Sequence, residues 1–159
     1  KIGIRDDVLL KPGRLTEDEY EIMKTHVDHG LDIVGRARWL HDALAIVGSH
    51  HEKYGGDGYP AQIPGDMIPA AARIFAITDV FDALSSERPY KKAMPLAKVV
   101  EILEEGRAGH FDPQLLDSFL EIAPDLHAEL NHFDTNELRT EMHQINGRYF
   151  ASGLETMLV

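Results

Sequence analysis

The stretch PAAARIFAITDVFDALSS (residues 69–86) decides the fold class of this chain. Its length and its alanine content favour a helix over a strand, because alanine has the highest helix propensity and most strands are much shorter. Elsewhere the chain shows no sustained alternation of apolar and polar residues of the kind that marks a half-buried strand. The sequence therefore predicts an all-α fold, a single-domain helical bundle.

Helix signals before this stretch support the same fold. Thr16 and Glu19 have the spacing of a capping box, so a helix should begin near Glu17. A second helix is predicted from about Arg38 to His51. Its buried side should consist of Trp39, Leu40, Ala43, Leu44, Ile46 and Val47.

Proline residues mark the helices that follow. Pro95 precedes LAKVVEILEEG as a first-turn proline, and Asp112-Pro113 precedes QLLDSFLEI as an N-cap and first residue. Another short helix is expected after Pro124. The pattern weakens towards the C-terminus, so we expect one domain over residues 1–130 and a C-terminal helix or tail over residues 131–159.

Composition limits the classes of partner. The 159 residues contain 16 Lys+Arg against 27 Asp+Glu, a formal net charge of −11, which disfavours binding to nucleic acid polymers or anionic membranes. A small phosphorylated ligand is still compatible, since a metal ion or a local basic cluster can reverse the sign inside one site. With no cysteine, any metal site must use His, Asp and Glu. A cytoplasmic location is expected, and no membrane span or signal peptide is evident.

The segment HHEKYGGDGYP (residues 50–60) contains the first candidate ligands. Adjacent residues on a helix diverge by about 100°, so His50 and His51 do not form a clamp for one ion on a regular helix. They could bind two neighbouring ions, bind one ion from a helix end, or be an exposed or capping pair. A zincin motif is excluded because its second histidine would fall at Gly55.

Acidic and basic residues form the next candidates. Asp79 and Asp82 share a face of an otherwise apolar helix, a face that should be partly buried and should need a cation. The alternative is a capping or buried aspartate satisfied by Arg73 or the backbone. Arg88 and Lys91 follow this helix and suit phosphate, although a solvated basic loop is the simpler interpretation.

Two histidine positions are ambiguous or misleading. His26 and His29 are near neighbours in KTHVDHG, and spacing does not choose between them as ligands. The dipeptide His41-Asp42 looks like a metal-binding pair. Yet nine residues separate His41 from His50, which puts it on the opposite side of their predicted helix. We interpret His41-Asp42 as surface.

Together these stretches resemble the HD-GYP family, the bacterial cyclic di-GMP phosphodiesterases of the HD metal-phosphohydrolase superfamily. The resemblance runs in order from Lys1 to about Pro113, and it implies a helical bundle of the HD-superfamily type. It is carried by KIGIRDDVLLKPGRLTEDE, HVDHG, HHEKYGGDGYP, ARIFAITDVFDALSSERPYK and GHFDP.

The resemblance also implies a site of two or three divalent metal ions, usually iron or manganese. Its implied metal ligands are His26, His50, His51 and Asp79. Facing the substrate would be Lys1 and Asp82 as catalytic residues, with Tyr59, Arg88 and Lys91 as substrate-binding residues. Such metals activate water and polarise the phosphodiester, while basic side chains neutralise the phosphoryl oxygens.

Two departures from the family pattern accompany the resemblance. Gly55 stands where the family usually has Asp or Asn, and we expect only a local effect on the loop. The His-Asp pair that names the family should lie immediately before Lys1 and is not in this sequence, which also begins without an initiator Met. The chain is therefore expected to be a piece of a longer protein and to be inactive by itself.

The resemblance implies that the intact protein hydrolyses cyclic di-GMP to pGpG and GMP under the control of an upstream sensor or receiver domain. Other signalling proteins or a second copy of the chain are further expected partners. Two alternatives stay open. One is a catalytically inactive module that binds the nucleotide or a partner protein, and the other is an enzyme acting on a mixed cyclic dinucleotide.

Overall fold

The computed structural model describes residues 2–87, 92–132 and 135–149. These residues contain helices and turns but no β-strand, which confirms the all-α prediction. The α-helices are α1 (Asp6–Leu9), α2 (Glu17–Lys24), α3 (His26–Gly35), α4 (Leu44–Ser49), α5 (Ala70–Ser85), α6 (Leu96–Glu105), α7 (Pro113–His132) and α8 (Thr135–Tyr149). Short 3-10 helices occur at Arg38–Ala43 and Gly65–Met67.

The chain divides into two compact units, residues 1–120 and 121–159. Within the first unit, α3 packs on α4, α4 on α5, and α5 on α6. The second unit contains the end of α7 and all of α8. The boundary expected at residue 130 stays a prediction. Among the described residues, no helix has both the length and the apolar composition needed to cross a bilayer.

Helix α5 carries the centre of the core in the first unit. Its buried residues are Ala72, Ala76, Ile77, Phe81 and Ser85. Phe81 meets Phe119 of α7 edge to face, with ring centroids 5.1 Å apart. This is a favourable aromatic geometry. Because the buried arc covers more than half of the helix circumference at about 100° per residue, less than half of the circumference of α5 remains for other contacts.

The start of α2 has the predicted capping box. The Thr16 hydroxyl accepts a hydrogen bond from the Glu19 amide, and the Glu19 carboxylate accepts one from the Thr16 amide at 2.7 Å. A cap of this kind stabilises a helix by roughly 1 kcal/mol. Helix α2 ends at Lys24 and α3 begins two residues later at His26, so the cap lies at the start of the segment that carries this histidine.

The predicted helix from about Arg38 to His51 is wrong in two respects. Residues Arg38–Ala43 form a 3-10 helix, and only Leu44–Ser49 are α-helical. None of these residues is fully buried, and Trp39 is 49% exposed. Tertiary packing decides which face is covered, and a six-residue helix between α3 and α5 offers too little length for a continuous buried stripe.

The short helix predicted after Pro124 is also wrong, because Pro124 lies inside α7. A proline in a helix interior costs about 3 kcal/mol. The buried residues Leu116, Phe119 and Ala123 follow helical spacing up to the proline, and burial of this stripe offsets the cost.

The other two proline signals mark helix starts as predicted, within one residue. Pro95 is the N-cap of α6, which begins at Leu96. The Asp112 carboxylate accepts hydrogen bonds from the amides of Gln114 at 2.9 Å and Leu115 at 3.3 Å. This confirms Asp112 as the cap of α7.

Candidate metal centre

Three imidazole rings meet where the start of α3 lies near the end of α4. His26 is the first residue of α3, and His50 and His51 follow the last residue of α4. The His26 Nε2 atom lies 3.4 Å from His50 Nε2 and 3.1 Å from His51 Nε2. Because α4 ends at Ser49, the adjacent rings are not held apart as on a regular helix, and their centroids are 4.1 Å apart. Of the alternatives for His50 and His51, the structure therefore agrees with a pair at a helix end whose two rings can face one ion.

Backbone carbonyl groups orient two of these rings. His26 Nδ1 lies 2.6 Å from the Met23 carbonyl oxygen, and His50 Nδ1 lies 2.9 Å from the Val47 carbonyl oxygen. A carbonyl oxygen can only accept, so each Nδ1 carries the proton and donates it. In a neutral imidazole this leaves the Nε2 lone pair free to bind a metal.

The arrangement fits a divalent metal ion. Lone pairs on Nε2 atoms this close repel one another unless a cation or a proton lies between them. Two nitrogens bound to one ion with metal–nitrogen bonds of about 2.1 Å lie roughly 3 to 3.5 Å apart, which matches the two measured separations. Ligand atoms from His26, His50 and His51 all lie within 4.8 Å of one another.

Glu52 anchors the glycine-rich loop beside these histidines. Its side chain is 2% exposed, and its carboxylate accepts hydrogen bonds from the amides of Ala61 at 2.6 Å, Gln62 at 3.1 Å and Ile63 at 3.2 Å. Sequence reasoning missed this role. The only signal was a glutamate between an apolar run and a glycine-rich turn, and the three amides that satisfy it are about ten residues further on.

Gly58 and Tyr59 bring the loop back onto the histidines. A Cβ at Gly58 would lie 2.4–2.6 Å from the backbone of residues 51–53, so only glycine fits. The Tyr59 amide donates to the His51 carbonyl at 3.1 Å, and its ring stacks on the His51 ring at 4.6 Å. Burial, followed by the neighbouring Tyr20, raises the pKa of the Tyr59 hydroxyl well above its usual range. At physiological pH the phenol is therefore a neutral hydrogen-bond donor.

The GHFDP segment is joined to the same loop through its backbone. The Gly55 amide donates to the Gly109 carbonyl at 2.7 Å, and the Tyr54 amide donates to the His110 carbonyl at 3.1 Å. A Cβ at Gly55 would lie 3.1 Å from the Gly109 oxygen, so an Asp or Asn here would need a small local shift. Burial also lowers the pKa of the His110 side chain.

The structure does not bring the two α5 aspartates into the histidine group. Phe75 packs edge to face on His50, with centroids 5.8 Å apart, and Asp79 lies one helical turn beyond it on the same side of α5. Asp79 and Asp82 are both exposed, so the expected partial burial of this face is wrong. Asp82 accepts a hydrogen bond from the Ser86 hydroxyl at 2.8 Å.

Arg73 is not the partner of these aspartates. It pairs with the buried carboxylate of Asp112 and, at 2.7 Å, with Asp66. The alternative in which Arg73 satisfies Asp79 is therefore wrong. Three further predicted site residues lie outside the described residues, namely Lys1, Arg88 and Lys91.

The remaining histidine candidates lie on the surface. His29 is exposed, whereas His26 is 6% exposed, so the fold places only His26 in the cluster. His41 and Asp42 are exposed as interpreted from the sequence, and His41 Nε2 lies 3.4 Å from the Gly35 carbonyl oxygen.

A family model described as HD domain matches residues 6–115, which is most of the chain. The chain belongs to the HD-domain family. This agrees with the helical bundle seen in the structure and confirms the family resemblance in the sequence. Membership implies that the domain binds divalent metal, and the histidine cluster provides ligands for it.

Curated relatives of this HD domain share more than a third of its residues. A cyclic di-GMP phosphodiesterase of Vibrio cholerae is 42% identical over 84% of the chain. A cyclic di-GMP phosphodiesterase response regulator of Xanthomonas campestris is 42% identical over 87% of the chain. A cyclic di-GMP phosphodiesterase of Thermotoga maritima is 38% identical over 79% of the chain. The matched regions make up 28%, 37% and 35% of these longer proteins, respectively.

Proposed function

We propose that this HD domain belongs to a metal-dependent phosphodiesterase that hydrolyses cyclic di-GMP to linear pGpG and to GMP. The observation that carries the proposal is the convergence of three imidazole rings, two of which donate their Nδ1 protons to backbone carbonyls three residues earlier in the chain. The names and identities of the relatives support the substrate.

The proposed cofactor is a group of two or three divalent ions, iron or manganese. His26, His50 and His51 would hold them together with Asp79. When bound, the ions act as Lewis acids on the phosphodiester and lower the pKa of a water molecule. Imidazole ligands suit iron, and a carboxylate from Asp79 would make the site acceptable to manganese.

The other proposed roles belong to side chains around the cluster. Tyr59 stacks on His51 and offers a neutral hydroxyl to a phosphoryl oxygen or a base. Asp82 and Lys1 are the proposed catalytic residues. Arg88 and Lys91 would neutralise the phosphates. Local positive charge is needed because the net charge of the chain, −11, repels anions.

The test replaces one ligand and one matched surface histidine. In the full-length protein, purified without oxygen, His50→Ala should lower bound iron or manganese and abolish cleavage of cyclic di-GMP. His41→Ala is the control, because His41 is exposed and lies outside the cluster. Metal is measured by mass spectrometry of the digested protein, and products are separated by chromatography. Normal metal content and normal cleavage in His50→Ala would reject the proposal.

A mixed cyclic dinucleotide is the second candidate substrate. A 3'3'-cGAMP-specific phosphodiesterase of Vibrio cholerae is 42% identical over 123 residues, which is as similar as the relatives named for cyclic di-GMP. Initial rates with both dinucleotides at equal concentration decide between them. A higher rate on cyclic di-GMP supports the first candidate, and the opposite order supports the second.

Location and regulation complete the proposal. We place the enzyme in the cytoplasm, under the control of an upstream sensor or receiver domain and open to contact with signalling proteins or a second copy. One relative is named a response regulator, which supports control by an upstream receiver domain.

A further inference from the structure

A groove lies next to Tyr59, apart from the three histidines. It has a volume of about 230 Å³ and is lined by Glu21, Lys24, Thr25, Asp28, Tyr59 and Pro60. Tyr59 also stacks on His51, so one aromatic ring belongs both to this groove and to the surroundings of the metal site. A ligand in the groove would therefore lie next to anything bound at the histidines.

One side of the groove is a row of charged residues from α2 and α3. Lys24 is the last residue of α2, Asp28 lies in the first turn of α3, and both line the groove. The Lys24 ammonium lies 5.4 Å from the Tyr20 ring centroid, 5.9 Å from the Tyr59 ring centroid and 2.5 Å from the Glu21 carboxylate. These contacts hold the cation in the groove and leave it with further N–H groups to donate.

Asp28 completes the row as a pure acceptor. It is exposed, and within the described part of the chain it takes part in no ion pair. An ionised carboxylate can accept two parallel hydrogen bonds. The groove thus presents two acceptor oxygens from Asp28 followed by a donor from Lys24.

We propose that this groove is the subsite for one base of the dinucleotide and that Lys24 and Asp28 make it selective for guanine. The inference rests on the proposed function and specifies its substrate. Guanine presents two adjacent donors, the N1 and N2 hydrogens, beside the acceptor O6, which is the complement of Asp28 and Lys24. Adenine presents the acceptor N1 to the carboxylate and its amino group to the ammonium, so both contacts would be unfavourable.

The size of the groove agrees with a single base. Sites for drug-sized ligands usually enclose about 300 to 1,000 Å³, and about 230 Å³ is too small for a whole cyclic dinucleotide. The base would occupy the groove beside Tyr59, and the phosphates would extend towards the histidines.

The test measures binding of mononucleotides, which does not depend on turnover. Calorimetry on the full-length protein compares GMP with AMP for the unmodified protein, for Asp28→Asn and for Asp32→Asn. A charge-assisted pair at a partly exposed site should favour GMP by about tenfold. Asp28→Asn should reduce this ratio to near one, because an amide can also pair with adenine. Asp32→Asn removes the same charge one turn away on α3 and should leave the ratio unchanged.

The outcomes separate the two proposals. Equal binding of GMP and AMP, binding of neither, or a ratio that Asp28→Asn leaves unchanged would overturn the guanine subsite. Cleavage of cyclic di-GMP alongside any of these results would leave the proposed function standing. Selective GMP binding without hydrolysis of any cyclic dinucleotide would support the subsite and reject the phosphodiesterase.

Discussion

The family resemblance assigns the three histidines and Asp79 of α5 to one metal site, but the structure places them differently. His26, His50 and His51 converge, and two of these rings are held by carbonyls three residues earlier in the chain. Asp79 and Asp82 lie exposed on α5, past the contact between Phe75 and His50.

The difference lies in how the protein itself orients each set of side chains. An imidazole can donate from one nitrogen to a nearby backbone carbonyl and present the other nitrogen, so local structure orients it in advance. An exposed carboxylate has only acceptor atoms and gains an orientation when a cation or a donor arrives. The histidine side is preorganised by its backbone, and we infer that Asp79 would be ordered by the ion.

The largest effect is expected from replacing Asp79, which tests whether the acidic side of α5 contributes a ligand to the metal site. Asp79→Asn in the full-length protein should lower metal content and the rate of hydrolysis by more than roughly tenfold. The free energy of unfolding should change by less than about 0.5 kcal/mol, because the side chain is exposed. Asp125→Asn, an exposed position on α7, is the control. If Asp79→Asn kept its full metal content and its full rate of hydrolysis, the Asp79 carboxylate would not be a metal ligand.

A smaller effect should follow from loosening the loop on the histidine side. Glu52→Gln replaces one buried acceptor oxygen with an NH2 group that faces backbone amides, so it should reduce the free energy of unfolding by about 1 to 3 kcal/mol. Urea unfolding measures it, with the exposed Glu17→Gln as the control. If Glu52→Gln were as stable as the unmodified protein, the loop would be held by other contacts.

The smallest effect concerns the cap at the start of α2. Lys11, followed by the Thr16 amide, lowers the pKa of the Glu19 carboxyl below its usual value. A lowered pKa stabilises the folded state above the unfolded value of about 4.3, and this stabilisation is lost as the pH falls through the folded pKa. Glu19→Gln should therefore be destabilising at pH 7 and lose most of that effect at an acidic pH below the folded pKa, where the carboxyl is protonated in both states.

The comparison for this last variant is Asp18→Asn, which lies in the same helical turn but outside the capping box. Unfolding curves at both pH values are sufficient. An effect of Glu19→Gln that does not depend on pH would mean that the ionised carboxylate is not what stabilises the cap.

Most of the fold follows from local signals. The capping box at Thr16 and the Asp112 cap each depend on residues within three positions, so the sequence contains all the information needed for them. The predictions for Trp39 and Pro124 failed because burial of a face and continuity of a helix depend on what packs against them.

The sequence by itself determined the helical class, the family and the identity of the histidine ligands proposed for the metal. These follow from helix-forming composition, from capping residues and from motifs that are contiguous in the chain. Only the tertiary structure decided that His26, His50 and His51 converge, that Glu52 anchors the loop, and that Asp79 remains outside the cluster. Each of these depends on distances between segments far apart in sequence, and no local pattern encodes such distances.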